Sequence, residues 1–342
     1  GQNLTMIEFI NDGLMTVFFL LVGLEIKREL LVGELSSFRK AALPFIAACG
    51  GMLFPVLVYS FVCAPGTPGG QGLAIPMATD IAFSLGVLSL LGKRVPLSLK
   101  IFLTAFAVVD DIGGILVIAV FYSSHVAYGY LLVAILLLIL LYFIGKRTVA
   151  NKLFFLVIGV VIWYLFLQSG IHSTIAGVLL AFVIPAKPQL RAGRYIERIR
   201  RIINTFPVMG ENDIVLTNEQ IAQLKRVESA SDRVISPLQS LEDNLHGVVN
   251  YIILPLFAFV NAGVVFSGGG EVIGEVSIAV ALGLLCGKFL GIYFFTWLAV
   301  KSKLTPMPQG MDWKNIAGVA LLGGIGFTVS LFIANLSFGV TH

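Results

Sequence analysis

Long apolar segments alternate with polar connections along the chain. Ten segments are almost wholly apolar, near 4–24, 41–63, 74–91, 97–121, 128–145, 152–168, 172–186, 247–266, 276–299 and 314–338. A helix needs about 20 residues to cross the hydrocarbon core of a bilayer. Segments of this length cross as helices, because lipid cannot satisfy open backbone groups. The pattern predicts an all-α, polytopic membrane protein with ten spans, in which 74–91 and 172–186 are tilted, broken or partly re-entrant.

The basic residues lie on one side of this pattern. Of 23 Lys and Arg, 22 lie in or directly beside the connections at 25–40, 92–96, 146–151, 187–246 and 300–313. The alternate connections, at 64–73, 122–127, 169–171 and 267–275, contain none. Basic loops face the cytoplasm. We therefore expect both ends of this chain outside and the loop 187–245 in the cytoplasm.

The composition changes the picture in two ways. The chain is 57% hydrophobic and only 12% charged, against about 25% charged in soluble domains, which supports a membrane protein.

The stretch 187–245 is the only long polar one, and it divides a membrane region at 1–186 from a second at 246–342. Within it, RAGRYIERIRRII is typical of an amphipathic basic helix that touches anionic headgroups; a regulatory element is the alternative. The net charge of +4 is spread over the loops, so nucleic acid is not an expected partner.

Four ionisable residues fall at mid-membrane depth: Asp80, Asp110, Asp111 and Lys288. Asp110 is the fourteenth of the 25 residues in 97–121, and Lys288 is the thirteenth of the 24 in 276–299. Both therefore lie roughly 20 Å into their helices, where opposite charges can pair. Adjacent helix positions point about 100° apart, so one acid can hold the ammonium while the other faces a cavity. An ion pair that only joins helices would leave Asp111 and Asp80 unexplained.

Two of the apolar segments carry helix-breaking residues. AIPMATDIAFSLG has a proline just before Thr79 and Asp80, and LLGGIGFTVSLF has three glycines in mid-segment. The interrupting residues are Pro76, Gly323, Gly324 and Gly326. Paired interrupted helices indicate a midplane site in transporters, although close helix packing is the alternative for the glycines. A broken helix exposes N–H groups at one half-end and C=O groups at the other. We expect Asp80 to compensate the first kind and Lys288 the second.

Several of these stretches, in the same order, resemble the NhaA-type sodium/proton antiporter family. They are VFFLLVGLEIKREL, IPMATDIAFSLGVLSLLGKRVPLSLKIFLTAFAVVDDIGGI, SGIHSTIAGVLLAFVIP, YIILPLFAFVNAGV, GKFLGI and GIGFTVSLFIANLSFG. The similarity covers nearly the whole chain outside 187–237. The resemblance implies inverted repeats with two crossed interrupted helices. The family has twelve spans, and the ten expected here lack its first and last.

The resemblance also implies roles for individual residues. Asp110 and Asp111 match the acids that bind Na⁺, and Thr79 lies beside that site at the helix break. Asp80 and Lys288 match the charges that compensate the interrupted helices, with Lys288 also pairing with Asp110. The positions linked to pH response are Glu25, Arg28, Glu29, Glu242 and His246 at the cytoplasmic mouth, and His172 on the outer side. Ordinary interfacial charge is the alternative for the mouth cluster, and a satisfied interface residue is the alternative for each histidine.

The function implied is pH-regulated, electrogenic exchange of Na⁺ or Li⁺ for H⁺ across the bacterial inner membrane, with Na⁺ and protons competing for Asp110 and Asp111. Whether Asp110 or Lys288 carries the second proton stays open. No cofactor and no enzymatic reaction are expected; the expected partners are Na⁺, Li⁺, H⁺ and membrane lipid, with a homodimer as an option. A passive cation channel is one rival, but channels favour rings of repeated ligands. An intramembrane aspartyl protease using Asp80 is another, but its Gly-x-Gly-Asp motif is missing and it leaves Lys288 unexplained.

Overall fold

A computed structural model describes residues 6–64, 66–91, 95–121, 127–147, 152–188, 192–205, 217–261, 274–308 and 310–338. Within these ranges all regular structure is helical, as the apolar pattern predicts. The helices are α1 (Met6–Leu31), α2 (Phe38–Val62), α3 (Ile81–Leu90), α4 (Leu97–Phe121), α5 (Tyr128–Arg147), α6 (Lys152–Ser169), α7 (Thr174–Val183), α8 (Ala192–Thr205), α9 (Asn218–Val234), α10 (Pro237–Val248), α11 (Leu254–Asn261), α12 (Glu275–Leu282), α13 (Lys288–Lys301), α14 (Trp313–Gly323) and α15 (Phe327–Phe338).

Many of these helices are long and apolar enough to cross a membrane. Among the described residues six qualify by length and composition: Phe38–Val62, Leu97–Ala119, Tyr128–Arg147, Lys152–Ser169, Pro237–Val260 and Glu275–Lys301. The pair α14–α15, bent by 41° at its break, makes a seventh if it counts as one span. The chain is thus a multi-pass membrane protein, and the count of ten spans stays a prediction.

Two of these spans contain a π-helical turn. Val249–Ile253 joins α10 to α11, and Gly283–Gly287 joins α12 to α13 directly before Lys288. A π-turn inserts one extra residue into the helical ladder and is frequent at functional sites. The second turn therefore helps to set the direction in which the lysine side chain leaves its helix.

The two segments with helix-breaking residues are interrupted in the structure. Pro76 lies in a short 3-10 turn, Ile75–Met77, and Ala78 after it is extended, with φ −78° and ψ 146°. The helix α3 resumes at Ile81. In the other segment, α14 ends at Gly323 and α15 begins at Phe327. Each interruption leaves backbone N–H and C=O groups free in the middle of an apolar segment.

Close packing on α2 places the helix of Lys288 near the helix of the two acids. The helix α13 packs on α2, and α2 packs on α4. At the first contact Gly50 and Gly291 face each other, and a Cβ added to Gly50 would lie 2.2 Å from the Gly291 carbonyl oxygen. A side chain at either position would force the helices apart. Because Gly291 is one turn after Lys288, this contact fixes the lysine within the bundle.

The polar stretch between the two membrane regions contains two helices that pack on each other, α8 and α9. The Thr217 side chain and Gln220 form a reciprocal capping box at the start of α9. The helix α10 begins at Pro237 and continues into the span Pro237–Val260, ten residues before the apolar segment expected at 247–266. The reason is local: the Ser236 hydroxyl accepts the Gln239 N–H, and proline is favoured at the first helical position. The division of the chain at 187 and 245 stays a prediction.

Candidate ion-binding site

The two helix interruptions lie against each other. The Asp80 N–H donates to the Ile325 carbonyl oxygen at 2.6 Å. The Ser84 hydroxyl donates to the Leu322 carbonyl oxygen at 2.9 Å. Backbone groups that each interruption frees are therefore satisfied by the other interrupted segment, as buried polar groups require.

The Asp80 carboxylate contacts two helix N-termini at once. Its Oδ1 accepts the Phe83 N–H at 3.1 Å, in the first turn of α3. Its Oδ2 accepts the Thr328 N–H at 3.2 Å and the Thr328 hydroxyl, in the first turn of α15. Helix N-termini carry partial positive charge. The negative charge of Asp80, which is only 1% exposed, thus lies where two such ends meet.

Lys288 forms an ion pair with Asp110. Its ammonium contacts Asp110 Oδ2, and both side chains are 0% exposed. The ammonium also donates to the Thr79 hydroxyl oxygen. That hydroxyl lies 2.7 Å from Asp110 Oδ2 and 2.9 Å from the Gly323 carbonyl oxygen. Because a hydroxyl has one hydrogen, Thr79 can donate to only one of these two acceptors at a time.

The other carboxylate oxygens at this place have no such partners. Asp110 Oδ1 is buried and accepts no hydrogen bond from the part of the chain that the structure describes. Asp111 is 6% exposed, and among the described residues its side chain has no hydrogen bond or ion pair. A buried carboxylate oxygen is costly unless a cation or a proton satisfies it. The chemistry of this donor set, carboxylate oxygens beside a hydroxyl and free carbonyls, suits a hard cation.

A second charged group lies between α1 and α10, and we call it the mouth cluster: Glu25, Arg28, Glu29, Glu242 and His246. Arg28 contacts Glu242 at 2.8 Å and Glu29 at 3.3 Å. His246 Nε2 lies 3.3 Å from Glu25 and 3.8 Å from Glu242. The structure therefore brings all five residues together, although they come from two distant parts of the chain.

His172 lies apart from the mouth cluster. It is in the turn between α6 and α7, and its carbonyl accepts the Ile175 N–H at 3.1 Å. Its ring centroid is 6.4 Å from that of Phe332 on α15, in an edge-to-face arrangement. His172 thus touches the helix whose first turn Asp80 caps.

Sequence reasoning missed Lys27. Its ammonium donates to the carbonyl oxygens of Ala181 at 3.4 Å, Phe182 at 2.7 Å, and Ile184. The first two lie in the last turn of the ten-residue helix α7, and Ile184 is its C-cap residue; a cation is favoured at such an end. The only signal was indirect: segment 172–186 is short, so its helix ends close to the membrane interior and needs a donor there.

Thr328 was also missed. It supplies both its N–H and its hydroxyl to Asp80, and it is 0% exposed. The signal in the sequence was its place two residues after Gly326, in the first turn of a resumed helix, where backbone N–H groups lack a partner within the helix.

Paired helix interruptions, buried acids at their meeting point and one buried lysine, in a bundle of apolar helices, are the features of a secondary membrane transporter for cations. Comparison with known proteins gives the family. The family model described as Na⁺/H⁺ antiporter 1 matches residues 1–342, so the chain belongs to that family. The resemblance read from the sequence is thereby confirmed.

Relatives with high identity carry the same description. A Na⁺/H⁺ antiporter NhaA of Bacteroides fragilis is 86% identical over 342 residues, covering 100% of this chain and 78% of the relative. One of Bacteroides thetaiotaomicron is 82% identical over the same 342 residues, with the same coverage. One of Phocaeicola vulgatus is 64% identical over 341 residues, covering 99% of this chain and 76% of the relative.

Proposed function

We propose that this chain is a secondary active transporter that exchanges Na⁺ for H⁺ across a membrane. The observation that carries this function is the family match over residues 1–342, with 86% identity to a Na⁺/H⁺ antiporter. Antiporters are not enzymes, so the protease alternative is not favoured. The passive-channel alternative is not favoured either, because an antiporter couples the two fluxes.

Asp110 and Asp111 bind the transported ion in this proposal. Asp110 Oδ1 and the Asp111 carboxylate are the oxygens at the helix interruptions without partners among the described residues. The Thr79 hydroxyl, 2.7 Å from Asp110 Oδ2, is the neighbouring oxygen that completes the set. Either a Na⁺ ion or protons can satisfy these oxygens, and this is the basis of their competition.

The ion pair makes the competition between Na⁺ and protons depend on Lys288 as well. Asp110 Oδ2 is held by the lysine ammonium, so Asp110 must release Lys288 before both of its oxygens can face Na⁺. If each of two groups takes up a proton when Na⁺ leaves, two protons exchange for one Na⁺ and transport is electrogenic. Asp111 is one of these groups, and the second is Asp110 or Lys288.

Asp80 and Lys288 serve as compensating charges in the same proposal. The hydrogen bonds of Asp80 to the first turns of α3 and α15 support its role. The contact of Lys288 with the Thr79 hydroxyl supports the role of the lysine, because that hydroxyl lies 2.9 Å from the last carbonyl of α14 at Gly323. The interruptions marked by Pro76, Gly323, Gly324 and Gly326 then remain stable in an apolar surrounding.

The mouth cluster sets the pH response. His246 Nε2 lies 3.3 Å from Glu25 and 3.8 Å from Glu242, so a change of protonation at one of these groups alters the attraction between α1 and α10. That change reaches the ion-binding site along α1, because α1 also packs on α4. His172 contributes to the pH response from the outer side through α15.

The setting of this function is the bacterial inner membrane, with the loop 187–245 in the cytoplasm and both ends of this chain outside. The asymmetric distribution of Lys and Arg among the connections supports this orientation. Li⁺ is a second transported ion, membrane lipid surrounds the exposed apolar faces, and a homodimer is the proposed assembly.

Exchange in proteoliposomes tests the function. With a pH gradient imposed and the membrane potential clamped, added Na⁺ or Li⁺ should dissipate the gradient for the wild type. Flux that follows voltage but leaves the pH gradient intact would show a channel and overturn antiport. Lys314→Ala, which changes an exposed cation on α14, is the matched control and should exchange like the wild type.

A further inference from the structure

The helices α8 and α9 form a unit outside the transport site. They pack on each other, with Ile202 8% and Ala230 0% exposed. The Tyr195 hydroxyl and the Ser231 hydroxyl are 2.8 Å apart and join the two helices. One face of α8 is thus occupied by α9.

A second face of α8 is apolar and exposed. Ile196 is 58% exposed and Ile203 is 65% exposed. Seven residues separate them, so they lie two turns apart on the same side of the helix. The remaining surface is basic, because α8 contains four arginines and one glutamate, a net charge of +3. An exposed apolar stripe on a basic helix is the composition of helices that lie in a membrane interface.

Short connections hold this unit near the ends of the membrane spans. The Leu238 N–H donates to the Pro185 carbonyl oxygen at 3.2 Å, so the chain leaves α7 and enters α10 at the same place. Only Ile235 and Ser236 separate α9 from α10, and α10 continues into the span Pro237–Val260. A helix of 14 residues is about 21 Å long, enough to lie along the membrane surface from that point.

We propose that α8 docks on the anionic phospholipid surface of the cytoplasmic leaflet. Ile196 and Ile203 insert at the boundary between headgroups and acyl chains, and Arg200, about 40° from Ile196 around the helix, contacts lipid phosphates. Charge complementarity favours anionic lipid over a protein partner. Each basic residue near an anionic membrane raises the ratio of docked to free helix about five-fold. Since α9 leads directly into α10, docking also fixes the entry of the helix that carries Glu242 and His246.

Spin-label accessibility in the full chain tests this docking. The background carries Cys49→Ser, Cys63→Ala and Cys286→Ser, and one new cysteine is introduced as Ile203→Cys. In vesicles that contain phosphatidylglycerol, with 187–245 facing the bath, a nitroxide at 203 should become accessible to oxygen and shielded from a water-soluble nickel complex. The matched control is Asn204→Cys, whose side chain points about 100° away and should stay accessible to the nickel complex.

Lipid charge and salt separate the possible results. In phosphatidylcholine vesicles, or at 0.5 M salt where screening is strong, the nitroxide at 203 should return to water. Arg200→Gln, which removes the arginine about 40° from Ile196 around the helix, should lower the docked-to-free ratio roughly five-fold. A nitroxide at 203 that stays in water with anionic lipid overturns the proposal. Shielding that ignores both lipid charge and salt also overturns it, because it shows that α8 packs on protein.

Proteolysis of the unmodified chain gives a second readout that does not depend on the cysteine background. Trypsin cleavage within α8 should slow at least ten-fold in anionic vesicles relative to neutral ones. Cleavage within α9, after Lys225 or Arg226, is the internal control for protease activity. Equal cleavage of α8 in both kinds of vesicle would contradict docking.

Discussion

The ion pair between Lys288 and Asp110 should dominate the stability of the site. Lys288→Ala leaves a fully buried carboxylate without its cation, since both side chains are 0% exposed. Removing one partner of a buried pair typically costs roughly 3–5 kcal/mol. Asp110→Asn in the same chain removes the stranded charge, so the double variant should regain part of the loss. We expect a coupling energy of about 1–3 kcal/mol between the two positions.

Thermal unfolding in detergent without Na⁺ measures this coupling in four proteins: wild type, Lys288→Ala, Asp110→Asn and the double variant. Lys288→Ala should have the lowest midpoint of the four, with the double variant above it. Lys314→Ala removes an exposed cation and should stay within about 0.5 kcal/mol of the wild type. Losses at Lys288 and Asp110 that simply add would refute the pairing, and Lys288 would then only compensate the break at Gly323.

Three further predictions concern single side chains. Asp111→Asn should abolish proton release upon Na⁺ addition in a folded, inserted protein; exchange like that of the wild type would remove Asp111 from the site. Asp80→Asn keeps a hydrogen-bond acceptor but loses the charge, so it should impair transport less than Asp111→Asn and preserve Na⁺-induced proton release; a complete loss of Na⁺ binding, measured by calorimetry, would place Asp80 on the ion. Lys27→Met should lower unfolding stability by roughly 1–2 kcal/mol because the last carbonyls of α7 lose their cation, and Lys27→Arg should recover most of it; an unchanged midpoint for Lys27→Met would contradict this.

The apolar pattern predicts the long helices well because length and apolarity alone decide them. The segment predicted at 97–121 coincides with α4, Leu97–Phe121. The interruptions at Pro76 and at Gly323 also follow from local chemistry, since proline lacks an N–H and glycine weakens a helix. The start of α10 does not follow from apolarity, because its first two turns are polar. The start of α10 is set by the N-cap at Ser236 and by Pro237 at the first helical position.

Part of the site can be predicted from the depth of each residue along its membrane helix. Other contacts join distant parts of the chain and cannot be predicted in this way. Counting residues places Asp110 and Lys288 at one level, and the structure pairs them. Helical rotation showed that only one of the two acids can face Lys288, but not which one. The contact of Lys27 with the carbonyls of α7 joins residues more than 150 positions apart, and nothing in the local sequence of either partner indicates the other.

In the proposed function, Thr79 links ion binding to the helix interruptions, and this link would let the site drive a change of conformation. A ligand shifts an equilibrium only if it binds the two states differently. With Lys288 on Asp110, the Thr79 hydroxyl has two acceptors within reach, Asp110 Oδ2 at 2.7 Å and the Gly323 carbonyl at 2.9 Å. If Na⁺ takes the place of Lys288 on Asp110 and also contacts the Thr79 oxygen, the hydroxyl hydrogen must point away from the cation, toward the Gly323 carbonyl. With the ion pair, the hydrogen has both acceptors within reach, so the two occupancies favour different contacts at the end of α14.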